Sequence, residues 1–173
     1  MDEIMLAPAI PKNETERLEA LHRLALLDTE PEAAYDLLTR RACEEFKVSI
    51  CAISLLDGER QWFKSITGLD VRETSREISF CGHTILEEGC FVVLDTFLDS
   101  RFVDNPLVTG EPKIRFYAGS PIHDPSFHRI GSICLINETP RTFNRDDLVK
   151  LHEYASEVEA QIERDYLANL LVR

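Results

Sequence analysis

The chain has 173 residues, 44% of them apolar, which predicts one globular domain with a substantial hydrophobic core. Its 31 acidic residues outnumber its 19 basic residues, which gives a net charge of −12. Because binding to nucleic acid or to an anionic membrane needs clustered basic side chains, neither is an expected partner.

The cysteines and the N-terminal sequence predict a cytoplasmic protein. An odd number of cysteines without CxxC spacing is typical of free thiols in a reducing compartment. The N-terminus has neither the basic flank nor the apolar stretch of a secretion signal. No run in the sequence approaches the ~20 apolar residues that a membrane-spanning helix needs. The five cysteines are Cys43, Cys51, Cys81, Cys90 and Cys134.

The first part of the chain predicts a tail and two helices. Residues 1–12 contain two prolines and no clear periodicity, so we expect a flexible tail. Asn13 is the expected N-cap of an amphipathic helix whose apolar stripe reaches Leu27. Thr29 is the expected cap of a second helix, which continues to about Phe46.

The pattern then changes to that of strands. The nearly continuous apolar run 48–56 predicts a central strand that is covered on both faces. A tight turn joins it to a second strand, 61–67. A third strand is expected at 91–95, and a second hairpin at 114–123 and 129–137.

Two long connections are mostly irregular. In 68–90, Ser79 is the expected cap of a short helix, and in 96–113 Asn105 and Pro106 predict a helical turn. Ordered connections of this length are uncommon and often functional, so the second one is a candidate lid.

A long helix is expected at the end of the chain, over 144–171, where Asn144 and Asp147 provide a start signal. Its apolar residues follow steps of three and four, which is the pattern of a coiled-coil seam and predicts a helix–helix contact. The seam comprises Leu148, Leu151, Ala155, Val158 and Ile162. The order of elements as a whole predicts an α+β domain with helices packed on an antiparallel sheet.

Nine short motifs resemble those of GAF domains, specifically the bacterial sensory subgroup found alone or before diguanylate cyclase, phosphodiesterase and histidine kinase modules. They follow one order over residues 14–165. The motifs are Leu27–Glu32, Ser54–Asp57, Arg60–Ser65, Gly68–Asp70, Ser79–His83, Asp99–Phe102, Asn105–Val108, Ile114–Pro121 and Arg129–Cys134.

The resemblance implies a single GAF domain over 13–173, with a central antiparallel sheet of five or six strands flanked by N- and C-terminal helices. It implies a ligand cavity roofed by 68–90 and 96–113, and a homodimer formed through the terminal helices. The expected function is small-molecule sensing in signal transduction, including cyclic nucleotide signalling, with output to a downstream domain or protein. The chain is not expected to be an enzyme.

The sequence Cys81-Gly82-His83 could bind a metal, attach a bilin or carry out thiol chemistry. A metal site needs three or four ligands, and no second close Cys/His pair exists, so no metal is expected. Bilin-binding GAF domains place the histidine directly after the cysteine, whereas Gly82 intervenes here. Free methionine-R-sulfoxide reductases use a Cys-Gly that resembles Cys81-Gly82, but they need a resolving cysteine in the roof, and 91–133 contains none. A buried thiol and a histidine bonded to backbone are the favoured interpretation.

The alternatives to a sensor are therefore a sulfoxide reductase that uses Cys81 and a ligand-free dimerisation module. For a sensor, Trp62 and Tyr117 are expected in a half-wet pocket wall, whereas Phe63 and Phe116 are expected in the core. Arginines would bind an anionic group, although Arg101 is expected to pair with a nearby aspartate. The ligand is expected to be a small organic molecule or a nucleotide. The candidate ligand-binding residues are Trp62, Arg76, Phe80, Cys81, His83, Arg101, Asn105, Arg115 and Tyr117.

Overall fold

The computed structural model describes residues 5–172, in which six antiparallel strands form one sheet of order β3-β2-β1-β6-β5-β4. The four strands of the two predicted hairpins occupy the middle of the sheet, as β1–β2 and β5–β6, and the short strands form its edges. The strands are β1 Ile50–Leu56, β2 Arg60–Thr67, β3 Glu73–Ser75, β4 Phe91–Val93, β5 Phe116–His123 and β6 Arg129–Asn137.

Five helices flank the sheet, so the α+β prediction is confirmed. They are α1 Glu14–Arg23, α2 Ala33–Phe46, α3 Cys81–Thr84, α4 Pro106–Thr109 and α5 Arg145–Leu171. The start of α5 is a complete capping box, because the Asn144 and Asp147 side chains each accept a hydrogen bond of 2.9 Å from the other's backbone amide. The Asn105 side chain likewise accepts from the Leu107 amide at the start of α4.

Three local expectations are wrong. Helix α1 ends at Arg23 rather than near Leu27, because Ala25 and Asp28 adopt left-handed backbone conformations with φ of 52° and 62°. Thr29 does not cap α2; its hydroxyl donates to the Leu26 carbonyl at 2.6 Å. Strand β3 lies in a stretch expected to be loop, since three polar residues give no apolar signal.

The sheet separates two hydrophobic clusters. The face toward α2 and α5 carries Ile53 and Leu55, whereas the opposite face, toward α3, carries Ala52 and Leu56. Strand β1 is buried throughout, which explains its unbroken apolar run.

The coiled-coil interpretation of the seam on α5 is wrong. Leu151, Ala155, Val158 and Ile162 are buried in this chain's own core, against the sheet and α2, and Leu148 is half-buried. A helix that packs on a sheet repeats its apolar residues at the same three- and four-residue steps as one that packs on another helix. The seam therefore cannot be the contact surface of a dimer.

The segment expected to be a flexible tail contacts the domain within the described residues. The Leu6 amide donates to the Arg101 carbonyl at 3.3 Å, and Pro8 lies against Gly82, where a Cβ atom would come within 2.6 Å of the Pro8 ring. Residues 1–4 of the predicted tail lie outside the described residues.

Candidate functional site

A cavity of about 160 Å³ lies on the α3 face of the sheet. Its wall includes Tyr117 from β5 and Cys134 from β6, and its other sides come from the two long connections expected to form a roof. Leu69 and Cys81 belong to the first connection, and Leu107 to the second. The cavity therefore lies where the GAF resemblance implied it.

Apolar side chains form most of the wall. They include Phe63, Ile66, Val71, Phe80, Ile114 and Ile136. Polar groups enter from Gln61, Thr74 and Glu111, and among the described residues no lysine or arginine lines the cavity. Pockets for drug-sized ligands measure roughly 300–1,000 Å³, while an apolar cavity of about 150 Å³ holds benzene. The size and lining therefore suit a small and largely uncharged molecule.

A hydrogen-bonded thiol lies in the wall of the cavity. The Cys81 sulfur accepts hydrogen bonds from Tyr117 Oη at 3.1 Å and from Ser132 Oγ at 3.3 Å. The Tyr117 hydroxyl is in turn 2.6 Å from Thr84 Oγ1. Gly119 leaves room for this network, since a Cβ there would lie 2.3 Å from the Tyr117 hydroxyl. The network fixes the cysteine and the tyrosine in the cavity wall.

The pKa values of the buried groups distinguish the thiols. Burial raises the pKa of Cys81, but hydrogen bonds from Cys134, Ser132, Ser54 and Tyr117 to its sulfur outweigh burial and lower it to about 7. The hydrogen bond to Cys81 and burial both raise the pKa of Cys134 well above its usual value. Cys81 is thus the thiol of this pair that would ionise first.

Three of the nine candidate ligand-binding residues meet at the cavity, namely Phe80, Cys81 and Tyr117. Trp62 does not: it is 3% exposed and packs in the cluster toward α2 and α5, so its assignment to a half-wet wall is wrong. Phe63, which was expected in the core, lines the cavity instead, whereas Phe116 is in the core as expected.

A β-bulge explains the exchange of Trp62 and Phe63. Ile53 pairs with Ser65 and Ser54 pairs with Phe63, which leaves Lys64 as an extra residue in β2. The bulge shifts the alternation, and Phe63 and Ile66 both reach the cavity although they are three residues apart.

His83 and Asn105 do not line the cavity, and their side chains bond to backbone carbonyl groups instead. The His83 Nε2 atom is 3.2 Å from the Leu6 carbonyl, its ring stacks on Phe91, and burial lowers its pKa. Asn105 is buried, and its Nδ2 donates to the Ile78 carbonyl at 3.1 Å. Asn105 therefore joins the second roofing connection to the first.

The three candidate arginines form ion pairs outside the cavity. Arg101 pairs with Asp99 at 2.6 Å, as expected from the sequence, and Arg115 pairs with Asp95 at 3.1 Å. Arg76 is buried against Glu14 in α1. These arginines do not line the cavity, so they cannot bind an anionic group there in this conformation.

Glu14 connects Arg76 to the neighbouring Arg17, and this cluster predicts a pH dependence of stability. Burial raises the pKa of Glu14, but hydrogen bonds from the two guanidinium groups outweigh it and lower the pKa from 4.5 to about 2. A carboxyl whose pKa is lower in the folded state contributes stability above pH 4.5 and loses it as the pH falls toward 2.

We therefore expect Glu14→Gln to lower the melting temperature at pH 7 and to flatten its decline between pH 4.5 and pH 2.5. Thermal unfolding of both proteins, followed by circular dichroism across this pH range, measures the difference. Melting temperatures that coincide in the two proteins over the whole range would show that this ion-pair cluster contributes nothing to stability.

Comparison with known proteins agrees with the fold. A GAF domain family model matches residues 30–162. The chain is 40% identical over 159 residues to a protein named cyclic di-GMP phosphodiesterase PA2567, from Pseudomonas aeruginosa. The match covers 91% of this chain and 27% of that protein, so the chain spans about a quarter of its relative.

Solved structures with the same fold include quite different proteins. The free methionine-R-sulfoxide reductase of Neisseria meningitidis superposes with a TM-score of 0.65 at 17% identity, covering 96% of this chain and 99% of that one. The PixJ GAF domain of Thermosynechococcus elongatus gives 0.65 at 14% identity, covering 95% of each chain. At these identities the likeness concerns the fold alone. Across residues 5–172, no helix combines the length and the apolar character that crossing a membrane requires.

Proposed function

The chain belongs to the GAF domain family, and we propose that it senses a small uncharged molecule in the cavity beneath α3 and α4. GAF domains are sensory and regulatory domains of signalling proteins. The observation that carries the proposal is the cavity itself, which is lined by apolar side chains and has the Tyr117 hydroxyl and the Cys81 thiol in its wall. These two groups would orient a ligand that has one polar atom.

The size and charge of the cavity favour a small uncharged molecule over a nucleotide. A cyclic nucleotide carries a phosphate, whose burial without a cationic partner costs several kcal/mol or more. The role in cyclic nucleotide signalling that we propose is therefore regulatory. The relative is named a cyclic di-GMP phosphodiesterase. We propose that this domain controls such an activity, in a downstream domain or in a partner protein, rather than carrying it out.

The sheet provides the route from the cavity to α5. Tyr117 and Cys134 face the cavity, while their neighbours Phe116 and Leu135 point to the other face, into the cluster that contains the buried stripe of α5. The Tyr35 hydroxyl of α2 donates to Asp165 of α5 at 2.6 Å, so the two helices are also linked. We propose that a bound ligand shifts β5 and β6 and thereby α5.

Dimerisation through the terminal helices stays a prediction, and the structure changes which residues could serve it. Since the seam is buried, a partner can reach only the outer surface of α5. The large exposed apolar side chains there include Val149, Leu167, Leu170 and Leu171.

The sulfoxide reductase alternative is not favoured. The sequence between 91 and 133 has no cysteine, and Cys90, which directly precedes this stretch, packs against the cluster toward α2 and α5. Cys81 lies in the cluster on the opposite face of the sheet. Two cysteines whose Cβ atoms point apart cannot form a disulfide without backbone movement, and these two thiols pack on opposite faces of the sheet.

Native mass spectrometry of freshly purified protein, together with its absorption spectrum, is the first test. We expect a bound molecule of low mass, or an empty cavity that accepts a neutral aromatic probe such as indole with a rise in melting temperature. The mass spectra also report the oligomeric state. An empty protein that neither indole nor other small neutral aromatics stabilise would contradict the proposal.

Leu107→Trp tests whether the probe enters this cavity. The larger side chain at a lining position of α4 should fill the space and weaken indole binding at least tenfold, which corresponds to about 1.4 kcal/mol. Leu98→Trp is the matched control, because Leu98 is 85% exposed and does not line the cavity. Equal indole affinity in the two variants would show that the probe binds elsewhere.

A further inference from the structure

A second pocket, of about 250 Å³, lies where the start of α1, the residues after α3 and the β5–β6 turn meet. Its polar lining comes from Lys12, Asn13, Arg17 and Arg129. Within residues 5–172, no acidic side chain lines this pocket, although the chain as a whole carries a net charge of −12. Three cationic side chains therefore line one pocket of a protein whose net charge is strongly negative.

Arg17 is the central residue of this pocket because it is both buried and incompletely bonded. It is only 1% exposed. Its Nε and Nη2 atoms donate to the Glu14 carboxylate at 2.9 Å, and Nη2 also donates to the Leu56 carbonyl at 2.6 Å. Among the described residues, Nη1 has no hydrogen-bond partner. A buried charged donor without a partner is costly, so Nη1 is the group that a ligand would satisfy.

The other two cations reinforce Arg17. Arg129 donates through Nη1 to the Ile85 carbonyl at 3.2 Å, which holds its guanidinium at the pocket. Neither Arg129 nor Lys12 has an ion-pair partner in the part of the chain that the structure describes. The ten-residue helix α1 begins beside the pocket, and its positive end favours an anion as well. The electrostatics of the pocket thus favour a bound oxyanion.

The rest of the lining is apolar. Ile85 and Leu86 follow α3, and Phe127, in the β5–β6 turn, is 84% exposed. Ile85 is already buried, but an inorganic ion would leave Leu86 and Phe127 uncovered, whereas an organic anion would cover them. The lining therefore combines a head-group site with a surface for an apolar body.

We propose that this pocket binds a small organic anion, with its phosphate or carboxylate head on Arg17, Arg129 and Lys12 and its apolar body on Leu86 and Phe127. Arg17 Nη1 supplies the buried hydrogen bond, and the other two cations supply charge nearer the solvent. The site lies apart from the cavity beneath α4 and shares no lining residue with it. This pocket is a second ligand site of the domain, and the proposal does not depend on the proposed ligand of the apolar cavity.

Titration of the 173-residue chain with phenyl phosphate, benzoate, inorganic phosphate and benzyl alcohol, followed by amide NMR shifts, tests the site. We expect saturable shifts near Lys12, Arg17 and Arg129 with phenyl phosphate or benzoate, and weaker shifts at these residues with inorganic phosphate. Benzyl alcohol should cause no shifts at these residues, because a small neutral molecule is expected only in the first cavity. A preference for phenyl phosphate or for benzoate identifies the head group. Binding should weaken as salt is added, because exposed charges are screened.

Arg129→Gln and Lys12→Gln should each weaken the preferred anion about three- to tenfold, since each removes one cation from the site. Arg40→Gln is the control, because it removes the same charge from an exposed position on α2. Lys12 is exposed, so its variant is expected to fold even if Arg129→Gln does not. Shifts that stay linear with concentration, equal shifts at Lys12, Arg17 and Arg129 with benzyl alcohol, or unchanged affinity in Lys12→Gln would each overturn the proposal.

Discussion

The double substitution Ala155→Asp plus Val158→Asp is expected to unfold the domain. Both side chains are wholly buried in the cluster between α5 and the sheet. An unpaired carboxylate in such a place costs several kcal/mol, and two of them approach the roughly 5–15 kcal/mol by which a domain is stable. The variant should lose its cooperative thermal transition, as measured by circular dichroism, rather than only a dimer contact.

The matched control is Val149→Asp plus Ala160→Asp, which makes the same changes on the exposed side of the same helix. Surface substitutions usually change the free energy of unfolding by about 0.5 kcal/mol or less, so this protein should melt cooperatively near the wild-type temperature. A well-folded monomer from Ala155→Asp plus Val158→Asp would restore the dimer interpretation of the seam.

Gly131→Ala is expected to cause a large loss of stability for a single added methyl group. Gly131 lies in β6 opposite Leu55 of β1, and a Cβ there would be 1.9 Å from the Ser54 carbonyl oxygen. The clash is with backbone, so the two central strands must separate and their ladder hydrogen bonds must lengthen. We expect a loss of about 3 kcal/mol or more in the free energy of unfolding, measured with denaturant.

Gly58→Ala and Gly89→Ala are the controls for this prediction. A Cβ at either position meets no atom within 4 Å. Replacing such a glycine restricts mainly the unfolded chain, so each control should lie within about 1 kcal/mol of wild type. If Gly131→Ala were as stable as these controls, the close approach of β6 to β1 would be wrong.

The sequence predicted the central architecture because its signals there are local and strong. The long apolar runs of β1 and β6, the tight turns of both hairpins and the Asn144–Asp147 cap each act within a few residues. The position of the cavity was implied by the family resemblance, while the length of the irregular connection 96–113 indicated only that this segment has a role. The central antiparallel sheet and the cavity are also the features that the resemblance to GAF domains implied.

The side chains at the site were less predictable because their partners are remote. Arg76 pairs with Glu14, which lies 62 residues away in the chain, and no local pattern shows that the pair removes this arginine from the cavity. One extra residue in β2, Lys64, decides that Phe63 rather than Trp62 faces the cavity. A bulge of this kind leaves no mark in an alternating pattern until the partner strand is known.

The hydrogen bond from Asn105 to the Ile78 carbonyl also bears on timing. It joins the two roofing segments, so we expect the rate at which a ligand leaves the cavity to depend on this hydrogen bond as well as on the ligand's own contacts. Affinity and residence time then become separable properties of the domain. Loss of the hydrogen bond would shorten the residence time of the ligand, and with it the duration of the response. The cavity wall would still set the concentration at which the domain responds.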